Sequence, residues 1–251
     1  MLKKKQRSFA MMMIAVTSLL LAGCDNDDDT PVVVPDDDMP MEAPDPVMAT
    51  LEITATNLTN AQPFSPLALV VHQGDFEPFN VGQPVDEATE ELAESGNNQP
   101  FMDAAAADSA VIEVLSGADV LPPGMTETLT VEVLESELDG LTVSMLTMLV
   151  NTNDAITGHR GMTVGPMAVG DQLVVRGPAY DAGTEANSET AATIPGPAAG
   201  GEGTNVERDD RDFVSMHSGV VTSDDGLSTS ALTEAHRFDN PVIQISVTRT
   251  L

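Results

Sequence analysis

Residues 51–58 read LEITATNL, with apolar Leu51, Ile53 and Ala55 alternating with Glu52, Thr54 and Thr56. On a pleated strand successive side chains point to opposite faces, so this period of two describes a strand with one face buried and one wet. TLTVEVLE (128–135) alternates in the same way, and so does VIQISVTRT (242–250), where Val242, Ile243, Ile245 and Val247 carry the apolar weight. LALVVHQ (67–73), AVIEVL (110–115), LTVSMLTMLV (141–150) and DQLVVRG (171–177) are denser in apolar residues and suit more deeply buried strands. DFVSMHSG (212–219) is a further strand candidate. Gly, Pro, Asn and Asp bound these runs and read as turns. Helical patterning is confined to VDEATEELAESG (85–96), with MDAAAAD (102–108) as a second turn or two. Many short strands and one or two short helices predict an all-β protein, a two-sheet β-sandwich.

Outside this region the chain changes character. MLKKKQRSFA places Lys3, Lys4, Lys5 and Arg7 ahead of the apolar run MMMIAVTSLLLAG. That run is too short for a membrane span, and a basic region followed by a short apolar one reads as a signal peptide. It closes on Leu21-Ala22-Gly23-Cys24, which resembles the lipobox of bacterial lipoproteins, and Cys24 is the only cysteine in the chain. The reading is therefore a leader over residues 1–23 and a lipidated Cys24, anchoring rather than spanning the membrane. Asp25 favours retention at the inner membrane if enteric sorting applies; otherwise the membrane stays open. Residues 24–47 form an Asp- and Pro-rich tether with too little apolar surface to offset its ordering entropy. The folded domain is expected over 48–251.

The charge balance is extreme: ten Lys and Arg against forty Asp and Glu, a formal net charge of −30. Without the leader, six basic residues face the forty acids, a net −34, and no lysine remains. Nucleic acid binding requires a basic footprint and is excluded as a function class. Bulk acidity favours solubility in salt and diffuse cation binding, so it does not itself define a metal site.

Catalytic patterns are weak. His72, His159, His217 and His236 are scattered, with no HExxH and no His-x-His pair. No GxSxG elbow or GK[ST] phosphate loop occurs. Oxygen-rich turns are more informative. In PAYDAGTEANSE (178–189), Asp181 and Glu185 stand four apart around Gly183. A second oxygen-bearing cluster, Asn151-Thr152-Asn153-Asp154, follows the apolar run 141–150. Two adjacent sandwich loops carrying these groups could share one Ca²⁺, which takes six to eight oxygen ligands. The spacing is not that of an EF-hand, and an ordinary Asx turn fits the same residues. The polar stretch between Asp181 and Arg211 is long for a loop, a length associated with function or mobility.

MLVNTNDAITG (148–158), PAYDAGTE (178–185) and HRFDNPVIQISVTR (236–249) together resemble the spondin N-terminal domain. NLTNAQPFSPLALVVH (57–72), ELAESGN (91–97) and LPPGMTETLTVEV (121–133) extend the likeness in the same order over most of residues 50–251. The resemblance implies an antiparallel β-sandwich of the spondin N-terminal type, with calcium bound at one end. It places the metal carboxylates on Asp154, Asp181 and Glu185, the last a Glu where the family motif ends in Asp. Asn153 and Asn187 are neighbouring candidate ligands. The implied function is a lipid-anchored, calcium-binding, non-enzymatic adhesion or ligand-binding module of the bacterial envelope. Its partners would be the membrane, through the lipid, and an extracellular or periplasmic protein or glycan. The rival expectations are a carbohydrate-active hydrolase using paired carboxylates and an ion-free structural lipoprotein.

Overall fold

The alternating strands share one sheet and the dense ones the other, except that the run 171–177, expected to be deeply buried, joins the alternating strands at a sheet edge and is itself alternately exposed. A computed structural model describes residues 45–205 and 211–251. The leader, Cys24 and the tether up to residue 44 lie outside the described residues. Among the described residues no helix is long and apolar enough to cross a membrane. The strands are β1 (Met48–Asn57), β2 (Ala68–His72), β3 (Val111–Ser116), β4 (Thr126–Leu134) and β5 (Thr142–Met148). They continue with β6 (Ala155–Thr163), β7 (Gln172–Gly177), β8 (Ala179–Asp181), β9 (Ser215–Met216) and β10 (Ile243–Arg249). The helices are α1 (Glu87–Ser95) and α2 (Gln99–Ala106).

A four-stranded sheet runs β4-β1-β10-β7 and a six-stranded sheet runs β3-β2-β5-β6-β8-β9. Every pairing is antiparallel. The protein is an all-β, two-sheet structure with two short helices, as the patterning predicts. Leu51, Ile53, Val131, Ile245 and Val247 from the first sheet pack with Leu69, Val71, Val143 and Met145 from the second in one buried core. The outer face of the four-stranded sheet is polar. There Thr54 and Thr128, register partners on β1 and β4, share a hydroxyl contact of 2.8 Å.

The six-stranded sheet is covered on both sides, which is why its strands lack alternation. Ala68, Val70, Leu146, Met148 and Ile156 point away from the first core and pack against Leu92 and Ala93 of α1 and Phe101, Met102 and Ala105 of α2. Asp86 caps α1 by accepting from the Thr89 N–H at 2.8 Å. Gly96, in the left-handed region at φ +73°, closes α1 by donating to Leu92 O.

Three elements depart from the sequence reading, one of them the three-residue β8, which falls in no expected strand. DFVSMHSG was expected to be a strand, yet only Ser215 and Met216 pair with β8. Conversely β6 was not anticipated. Its AITGHRGMT carries two glycines, and its register slips so that Arg160 and Gly161 lie opposite Ser144. A bulge of this kind breaks the period of two that would have announced the strand.

Candidate metal centre

The loop 151–154 joins β5 to β6, and all four of its polar side chains are buried. Hairpin loops normally face solvent, so each group needs a partner inside the protein. Most of the partners from outside the hairpin come from the polar segment after β8, which folds across it. Asn151 Nδ2 donates to Ala61 O at 2.9 Å, and its Oδ1 accepts from Ala198 N at 3.0 Å. Thr152 Oγ1 donates to Leu149 O and accepts from Ala155 N, closing the turn on itself. Asn153 Nδ2 reaches Glu185 Oε1 at 2.9 Å and Thr193 Oγ1 at 2.8 Å, while its Oδ1 accepts from Glu189 N. Gly196 N donates to Val150 O. A Cβ on Gly196 would lie 2.3 Å from that same carbonyl, so the close crossing requires glycine.

Asp154 sits at the centre with no exposed surface. Its Oδ2 accepts from Thr184 N at 2.8 Å, Glu185 N at 3.2 Å and Thr184 Oγ1 at 3.3 Å. Its Oδ1 is buried and has no hydrogen-bond partner. Burial, and then the negative charge of Asp181, push the Asp154 carboxyl up to about 7, against the opposing pull of the Thr184 and Glu185 hydrogen bonds. A buried carboxylate with an idle oxygen beside a second carboxylate lacks a compensating positive charge.

Asp181 ends β8, where it pairs with Ala155 in register, directly after Asp154 in the chain. Its Oδ1 accepts from Gly183 N at 3.0 Å, an Asx turn that Gly183 permits with φ +72°. Its Oδ2 accepts from Asn187 Nδ2 at 2.6 Å and from the Arg211 guanidinium at 3.0 Å. Glu185 lies in the same pocket of polarity but turns Oε1 toward Asn153 and toward Asn205 Nδ2 at 3.2 Å. Burial raises its carboxyl to about 7, with the amide hydrogen bonds opposing.

The structure therefore brings Asp154, Asp181, Glu185 and Asn153 into one buried cluster, with Asn187 bonded to Asp181 from an exposed position at its rim. Within it Asn187 and Asn153 act as donors to carboxylates. Among the described residues no three Asp, Glu, His or Cys side chains form a metal cage by themselves. Asp154 and Asp181 fit a hard cation best, and further ligands would have to come from amide, backbone or water oxygens, as calcium accepts.

Three residues here were not assigned to the site from the sequence. Glu189, at φ +52°, is buried; its carboxylate accepts from Val221 N at 2.5 Å, Thr222 N at 2.9 Å and Ser230 Oγ at 2.6 Å. Arg211 supplies positive charge to Asp181. His217 is buried against Phe238, accepts from Gly219 N at Nδ1, and has an unpartnered Nε2. Desolvation lowers its pKa, with Asp181 and Glu189 opposing. No periodicity marks these residues, because each acts through a contact made far along the chain.

The sequence matches no protein-family model and no curated protein. The likeness to spondin domains rests on the quoted motifs alone.

Proposed function

We propose that this chain is a spondin-type, calcium-binding β-sandwich, held at the bacterial envelope by lipid on Cys24 and serving as a non-enzymatic adhesion or ligand-binding module. The observation that carries the reading is the buried Asp154, with an unpartnered Oδ1, next to Asp181 at one end of two antiparallel sheets. A divalent cation bound there would neutralise Asp154 and give Asp181 a second cationic partner beside Arg211. It would also tie the 151–154 hairpin to the segment after β8, fixing the loops that a partner would meet. Asp154 and Asp181 would be the primary ligands. Glu185 would contribute only by exchanging its bonds to Asn153 and Asn205 for the ion.

Calcium that binds only the folded state raises the melting temperature, and keeps raising it with the logarithm of its concentration above Kd. Chelator-treated protein titrated with calcium should release or absorb heat at a single site and melt higher. Asp181→Asn should remove most of that calcium-dependent rise while leaving a folded chain. No heat and no melting shift at millimolar calcium would overturn the metal assignment.

A further inference from the structure

We propose a second site, for a small ligand bearing a carboxylate, sulfate or phosphate group, in a cavity of about 390 Å³ at the corner where β7 passes into β8. It deepens the ligand-binding reading by naming a class of ligand, and it stands apart from the calcium cluster. The cavity is lined by Gly158, His159, Arg160 and Gly161 of β6, Arg176 and Gly177 of β7, and Tyr180 of β8, with Glu77 the one acidic member.

Topology creates the opening. β7 is the edge of the four-stranded sheet, and Gly177 and Pro178 carry the chain across to β8 in the other sheet. β8 pairs with β6 only from Ala155 to Thr157, so the rest of that side of β6 has no hydrogen-bonded strand partner. The floor is bare backbone: a Cβ on Gly177 would stand 2.4 Å from Gly158 O.

Charge makes the cavity unusual. Five arginines fall among the described residues, in a chain with forty acids. Arg211, Arg237 and Arg249 pair with Asp181, Asp225 and Glu135. Arg160 and Arg176 make no ion pair among the described residues, yet both line this one cavity. Two like charges facing a common space repel each other, and an anion between them would convert that cost into attraction. Guanidinium groups suit planar or tetrahedral oxyanions because their N–H groups form a fixed fork.

The setting holds Arg160 in place. Its guanidinium lies 5.6 Å from the Phe79 ring centre and donates to Asn80 Oδ1 at 3.4 Å. Tyr180 packs edge-on against the same ring at 5.0 Å. His159 Nδ1 accepts from Gly161 N, which leaves Nε2 as the protonated nitrogen and a further donor. Burial and then Arg160 lower its pKa, keeping the ring neutral. The chain's net negative charge disfavours long polyanions, so the ligand is a compact acid of sugar size.

The test is calorimetric titration of the full chain at low ionic strength with sodium sulfate, inorganic phosphate, glucuronate and, as a neutral control, glucose. At least one oxyanion should bind saturably at one site while glucose does not. The Arg160→Gln, Arg176→Gln double variant should weaken that binding at least about tenfold, the size expected from losing charged hydrogen bonds. Arg176→Gln alone, at an exposed position, keeps the test valid if the double variant misfolds. Binding unchanged by either variant, or no saturable binding of any oxyanion, would overturn the site. Calcium titrated into oxyanion-free samples of the same proteins reads the other cluster separately, so the two failures are distinguishable.

Discussion

The space between the two sheets and the end of the sandwich beyond β5 are both fully buried, and they are held together by opposite chemistry. Between the sheets, Leu51, Ile53, Leu69, Val143, Met145 and Ile245 exclude water by area alone, and any oily side chain of similar volume would serve. At the β5–β6 hairpin, Asn151, Thr152, Asn153 and Asp154 are no more exposed than that core, but each depends on a named partner. The first region tolerates rearrangement of contacts and punishes lost volume. The second tolerates changes of volume poorly only where they unpair an oxygen or a nitrogen, and it responds to charge.

The largest effect expected is in the apolar region. Phe64 is fully buried, bridges Leu121 and Leu149, and packs within the inter-sheet core. Phe64→Ala should cost about 3–5 kcal/mol in chemical denaturation, from lost transfer energy and the cavity left behind. That loss should be the same in calcium and in chelator. A loss that shrinks when calcium is present would mean the two regions are not separable.

Next in size is the removal of one polar organiser. Glu189→Ala leaves Val221 N, Thr222 N and Ser230 Oγ without their acceptor, and a buried unsatisfied donor costs about 1–3 kcal/mol. The variant should be destabilised by roughly 2–3 kcal/mol, and amide exchange should accelerate around residues 189 and 221–232 before it does in β1 or β5. Destabilisation with uniform exchange across both sheets would show that the polar end and the core unfold as one unit.

This contrast also explains what could be read from the residues. β1, β4 and β10 face water on one side, so their alternation is written in the sequence, and α1 follows from its Asp86 cap, its Gly96 stop and the apolar Leu92 and Ala93. β6 was hidden by its glycines and its bulge. The oxygen-rich turns at Asp154 and Asp181 were legible as residue types, and the structure places them side by side. What stayed illegible was direction. Nothing local says that Glu185 turns to Asn153, that Arg211 approaches Asp181, or that TEANSETAAT folds across a hairpin and buries Thr184, Glu185, Glu189 and Thr193. Those outcomes depend on partners 30 or more residues apart, as in the Asp181–Arg211 and Asp154–Thr184 bonds.

The smallest expected effect is the most specific, because only the polar region titrates near neutrality. The Asp154 carboxyl is raised to about 7, so between its unfolded value near 4 and pH 7 the folded chain keeps a proton that the unfolded chain has lost. Stability attributable to Asp154 must therefore fall as pH rises through that window, the reverse of a salt-bridged carboxylate. Glu185, also raised to about 7, acts in the same direction. His72, His159 and His217, whose pKa values are lowered, act in the opposite one by losing stability as they are forced to charge in acid. The clean measurement is a difference: melting of the chelated wild-type chain against Asp154→Asn at pH 8 and pH 6. Wild type should gain about 1 kcal/mol on the variant as the pH drops, from roughly one proton's worth of linkage at 1.36 kcal/mol per unit. With calcium bound the carboxylate is held deprotonated, so the metal's own stabilisation should be larger at pH 8 than at pH 6. A wild-type chain that loses ground to Asp154→Asn on acidification would mean that Asp154 is ionised in the metal-free protein. Its charge would then already be matched by Arg211, and the polar end of the sandwich would have no vacancy for a cation.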